Sequence, residues 1–109
     1  MIVLKNQEIL YSHIEESNTF WKRFQGLMGR KELEDGAGMI FYNCSSIHCF
    51  FMKIAIDVVY LDKEFRVVGI ETVAPWKVGH FFKGAKHILE VNAGSTSGIS
   101  VGDKLEIRR

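Results

Sequence analysis

The chain has little with which to punctuate, staple or charge itself. It carries one proline and two cysteines in 109 residues, with no internal repeat, low-complexity tract or linker-like stretch. That excludes a string of modules. Residues 1–109 are expected to form one domain, since domains typically run to roughly 100–150 residues. Charge of one sign is also missing. The net charge is +1, and no basic stripe marks a nucleic-acid footprint, so nucleic acid is not an expected partner. No apolar run approaches the roughly 18 residues needed to cross a bilayer, so no membrane span is expected. The opening MIVLKNQEIL has neither a charged leader nor a small-residue cleavage site, and a cytoplasmic location is expected.

The two cysteines, Cys44 and Cys49, stand in the string C-x-x-x-H-C. Without an export signal they are expected to be reduced. Zinc sites usually draw four ligands from two separated pairs. His13, His80 and His87 are scattered and form no second pair, so neither a metal nor a cofactor is expected. Cys49 and His48, as neighbours on a strand, point to opposite faces, which excludes a thiol–imidazole pair in a regular strand.

What is present is typical of a soluble globular protein, with 47% apolar and 25% charged residues. Ten glycines and several β-branched runs predict a strand-rich chain with tight turns. Strands are expected over Ile2–Leu4, Glu8–Ile14, Gly38–Asn43, Ile47–Met52, Asp57–Leu61, Val67–Ala74, His87–Val91 and Lys104–Arg109. Asp57–Leu61 and Val67–Ala74 are expected to pair as a hairpin. Ser17 or Asn18 can cap a helix, because a short polar oxygen accepts from the first free N–H groups. Phe20, Phe24, Leu27 and Met28 then fall on one helical face, with the end near Gly29. The expected fold is α+β: a mostly antiparallel, barrel-like sheet of about seven short strands covered by one helix.

Ionisable residues inside the most apolar segment, Ser45–Asp62, mark the candidate site. His48 and Asp57 both fall on apolar strand faces, whereas Lys53 falls at a turn and reaches solvent. A buried carboxylate must be paired or hydrogen-bonded, because an unpaired buried charge is far too costly. Arg23 and Arg30 are seven apart and return to nearly the same helix azimuth. A guanidinium presents a planar fork of donors that fits a carboxylate. The expected polar cluster is therefore Arg23, Arg30, His48 and Asp57. It reads as a structural ion pair, as a pocket in which an arginine meets a small anion, or as a catalytic site. A second candidate is the glycine-marked loop carrying Trp76, Phe81 and Phe82, a binding surface if its aromatics are exposed. The glycines of NAGSTSGISVGD read as turn residues, since no helix follows to cradle a phosphate.

Five segments together, RFQGLMGRKEL, GMIF, IHCFFMKIAIDVVYLD, VVGIETVAPW and HILEVNAGSTSGISVGDKLEI, resemble the DUF192 family of small bacterial and archaeal proteins. The likeness runs from about Arg23 to the C-terminus. It departs from one branch of the family at Cys49, where threonine is usual, and at Ala55, where proline is usual. The resemblance implies a compact β-rich fold with a small helical part and no established activity. It also implies a partner in the cell envelope or in secretion. The expected function is a non-catalytic binding or assembly module with an arginine-lined polar pocket. The alternative is a small hydrolase-like enzyme using His48 and Asp57.

Overall fold

The computed structural model describes residues 1–17, 36–44, 55–74, 77 and 79–109. Among these residues eight strands build two sheets. β1 (Ile2–Lys5), β2 (Glu8–Tyr11) and β8 (Glu106–Arg108) form one sheet in the order β2-β1-β8. β3 (His13–Ser17), β4 (Ala37–Phe41), β5 (Ile56–Leu61), β6 (Val67–Val73) and β7 (His87–Asn92) form the other in the order β3-β4-β7-β5-β6.

Local sequence explains the hairpins. Asn6 and Gln7 both take left-handed backbone, with φ of 51° and 67°. This is the two-residue turn whose twist matches the strands it joins. β5 and β6 pair antiparallel, with Asp57 opposite Thr72 and Val58 opposite Glu71. All six residues of β5 are buried, so this strand is covered on both faces, which is why it reads as a nearly continuous apolar run. One core lies on the face that includes Val59, Leu89 and Val91 together with Val3 and Leu105 of the smaller sheet's side. A second lies on the opposite face around Ile56, Val58, Tyr60 and Ile88.

Three expectations need correction. First, the described residues are all-β and contain no helix, in place of the α+β fold; the helix expected over 20–29 and the strand expected over Ile47–Met52 lie outside the described residues. Second, the sheet is not barrel-like. Two sheets meet through isolated contacts: Met1 and Ile14 exchange backbone hydrogen bonds of 3.0 and 2.9 Å, and Arg66 and Lys104 form a lone bridge. No continuous ladder closes the circuit among the described residues, because β1 takes β2 and β8 as its neighbours. Third, the strand expected over Glu8–Ile14 is two strands. The amides of Ser12 and His13 both donate to Gly36 O, which turns the chain out of one sheet and into the other. There β3 runs parallel to β4, a pairing that needs a long crossover rather than a hairpin.

Candidate functional site

Asp57 is buried, 3% exposed, at the start of β5. Both its carboxylate oxygens are occupied. The Thr72 hydroxyl donates to Oδ1 at 2.6 Å. The Gly94 amide and the Thr96 hydroxyl donate to Oδ2 at 2.9 and 2.8 Å. Gly94 sits at φ 84°, a conformation that glycine adopts at little cost and that aims its N–H at the carboxylate. The Tyr11 hydroxyl donates to Ser95 O at 2.9 Å in the same loop. Burial raises the Tyr11 pKa, and the charge of Asp57 pushes it the same way. Asp57 is thus the hub that folds the loop after β7 back onto the sheet.

Glu90, in the middle of β7, is 2% exposed, and its side chain makes no hydrogen bond or ion pair with any described residue. It stands opposite Met39 on β4 and Val58 on β5, within an apolar face. Burial alone lifts its pKa from the ordinary 4.5 to about 8, so the side chain is mostly a neutral acid at pH 7. Sequence reasoning passed over it as a site residue, although the signal that selected Asp57, an acid within an apolar run, is equally present in HILEV.

The loop after β6 is anchored by Glu71. Its Oε2 accepts from the Tyr60 hydroxyl at 2.6 Å and from the His80 amide at 2.7 Å, while His80 Nδ1–H donates to Oε1 at 2.6 Å. Burial pushes the Glu71 carboxyl up, but the hydrogen bonds from Tyr60 and His80 outweigh it and hold the pKa below the ordinary value. The two described aromatics of this loop diverge. Phe81 is 79% exposed. Phe82 lies over Gly69 and against Tyr60, with ring centroids 4.5 Å apart. Arg23, Arg30, His48 and Trp76, the other residues expected at the site, lie outside the described residues, as does Cys49. Cys44 is half-buried.

The model of DUF192, a family described as Uncharacterized ACR, matches residues 1–107. The chain belongs to this family. A UPF0127 protein of Pyrococcus abyssi is 36% identical over 102 residues, covering 85% of this chain and 84% of the relative. A UPF0127 protein of Pyrococcus furiosus is 34% identical, covering 98% of this chain and 96% of the relative. In three dimensions the DUF192 chain is similar to a protein of unknown function from Novosphingobium aromaticivorans, with a TM-score of 0.82, 26% identity and coverage of 97% and 82% of the two chains. It is also similar to a Sinorhizobium meliloti protein proposed as a transcription regulator. There the TM-score is 0.73 with 24% identity and coverage of 85% and 79%, a likeness that shows the fold alone. No helix among the described residues is long and apolar enough to cross a membrane.

Proposed function

We propose that this DUF192 protein is a non-catalytic binding module. Its polar pocket, lined by Arg23, Arg30 and His48 beside Asp57, takes a small anion or the acidic group of a protein partner. The observation that supports this reading is the set of three hydrogen bonds that Asp57 accepts. Thr72, Gly94 and Thr96 satisfy both of its oxygens, so the carboxylate needs no arginine to be buried. A guanidinium with donors left over is a ready receptor for a carboxylate, sulfate or phosphate.

The same three hydrogen bonds weigh against a hydrolase in which Asp57 would orient or activate His48. A catalytic carboxylate must direct an oxygen at its base or at a reacting proton, whereas Asp57 directs both at a turn and a neighbouring strand. With a net charge of +1, an acidic patch or small acid suits the pocket better than a nucleic-acid backbone does.

Isotope-labelled protein titrated with acetate, sulfate and phosphate tests the reading. Saturable shifts are expected in the amides of Ala55–Asp57, and Arg30→Ala is expected to remove them. The absence of shifts with all three anions refutes the pocket. The hydrolase reading instead requires turnover of a model ester that His48→Ala abolishes without altering the fold.

A further inference from the structure

A second site lies where the two sheets meet, away from Asp57 and independent of the anion pocket. The hairpin turn between β1 and β2, the turn between β5 and β6, and the start of β8 surround a cavity of about 640 Å³. That is within the range of roughly 300–1,000 Å³ typical of small-molecule sites. Leu4, Leu105 and Ile107 supply its apolar lining, and Tyr42 and Phe65 its aromatic wall.

The wall is built at the expense of backbone comfort. Four non-glycine residues among those described have positive φ: Asn6, Gln7, Asn43 and Phe65, at 51°, 67°, 54° and 63°. Three of them line the cavity, and Asn43 adjoins Tyr42, which does. Left-handed backbone is unexceptional for asparagine but a true outlier for a bulky aromatic. Glycine is the usual occupant where a hairpin loop closes through this conformation. Phe65 is held there from all sides. Its amide donates to Asp62 O at 3.0 Å, and its carbonyl accepts from the Leu105 amide at 2.9 Å. The Asp62 carboxylate takes the amides of Glu64 and Arg66 at 2.8 and 2.9 Å. One face of the Phe65 ring stacks on His87, with centroids 4.7 Å apart and planes at 11°. The edge-on Tyr42 lies 6.2 Å away. Among the described residues no ring covers the other face of Phe65. His87 is fixed as a platform because its Nδ1 accepts from the Asn43 amide at 3.1 Å, and burial lowers its pKa. Strain that persists because its surroundings over-determine it is characteristic of ligand sites.

The remaining lining residues indicate what the ring is for. Asn6, Gln7, Glu64 and Lys104 all line the cavity, and none of their side chains is engaged in a hydrogen bond or ion pair with any described residue. Glu106 also lines it but is paired with Arg108 at 2.7 Å. The free groups are thus two neutral amides, one carboxylate and one ammonium. Their charges cancel, which disfavours a strongly anionic or cationic ligand. Together they offer both donors and acceptors, the complement of hydroxyls that each donate and accept. An apolar wall that includes the Tyr42 and Phe65 rings suits the C–H face of a saturated ring. We propose that this cavity binds a neutral, hydroxyl-rich ring ligand of the sugar class, stacked on Phe65 and held at its rim by Asn6, Gln7, Glu64 and Lys104.

The test uses the full labelled chain titrated with glucose, N-acetylglucosamine and maltotriose, with tetramethylammonium and sulfate as charged probes. At least one sugar is expected to give saturable shifts at the amides of Asn6, Gln7, Phe65 and Leu105. Gln7→Ala and Lys104→Ala are each expected to weaken binding about fivefold, the effect of one lost hydrogen bond. Phe65→Gly is expected to abolish binding, with the loss of ring packing against His87 and Tyr42 only partly offset by the strain that glycine relieves. The proposal is overturned if no sugar shifts these amides, if only the charged probes do, or if Phe65→Gly binds as the wild type does. Should Phe65→Gly fail to fold, wild-type affinity in both Gln7→Ala and Lys104→Ala is equally decisive against it.

Discussion

Asp57 and Glu90 lie on adjacent strands and turn to opposite faces of the same sheet. Asp57 stands opposite Val91, and Glu90 opposite Val58. Both are almost fully buried, yet their circumstances are opposed. The Asp57 carboxylate accepts three hydrogen bonds, whereas the Glu90 carboxyl accepts none from the described residues and holds its proton up to about pH 8. One acid is a hydrogen-bonded hub and the other a neutral guest in an apolar face, so changing each should have effects of different sign.

Asp57→Ala is expected to lower stability by about 2–4 kcal/mol, since hydrogen bonds to a charged acceptor contribute roughly 1.5–3 kcal/mol each and are not fully additive. The loop from Gly94 to Thr96 should loosen first, visible as faster amide exchange there. A urea midpoint equal to that of the wild type contradicts the hub role.

Glu90→Gln is expected to stabilise the protein at neutral pH and to flatten its pH dependence. The sign follows from the raised folded pKa. Between the unfolded value near 4.5 and the folded value of about 8, the native state holds a proton that the unfolded state has released. Stability therefore falls as pH rises through this window, by about 1.4 kcal/mol per unit. At pH 7 the amide is expected to gain on the order of 3 kcal/mol relative to wild type, and below pH 4 the two should nearly coincide. Parallel curves for the two proteins from pH 5 to 8 argue that Glu90 is paired or hydrated.

Glu71→Gln should release the loop at His80. The ordinary carboxylate pKa of Glu71 is lowered in the fold, so its stabilising contribution is complete above the unfolded value near 4.5 and is lost as pH falls through the lower folded value. At pH 7 the His80 amide, which donates to Glu71, is expected to exchange roughly tenfold faster in the variant, the equivalent of about 1.4 kcal/mol. Unchanged exchange means that the loop is fixed by other contacts.

Gly69→Ala places a methyl group within the Phe82 ring and is expected to cost about 1–3 kcal/mol, the usual penalty of overpacking. Phe82→Ala in the same chain should recover part of that loss, because the two changes share one volume. Strict additivity in urea unfolding of the single and double variants excludes the contact.

Much of the strand layout was legible beforehand, for a local reason. The segments around Ile56–Leu61, Val67–Val73 and His87–Asn92 are bounded by turn residues and rich in β-branched side chains, and both features act within a few residues. The break at Ser12 was not legible, because it depends on Gly36 O reaching two amides from a distant part of the chain. The strain at Phe65 was equally hidden. DKEF reads as a turn, but nothing in it says that an aromatic will occupy the position a glycine usually holds.

The sequence by itself determined that Asp57 would need donors, since polarity and apolar surroundings are properties of immediate neighbours. Only the tertiary structure decided which donors those are. Thr72, Gly94 and Thr96 lie 15, 37 and 39 residues along the chain and arrive through the pairing of β5 with β6 and β7. The parallel approach of β3 to β4 and the separation into two sheets belong to the same class. Strand neighbours are chosen by burying whole faces at once, a comparison among complete arrangements that no single segment contains.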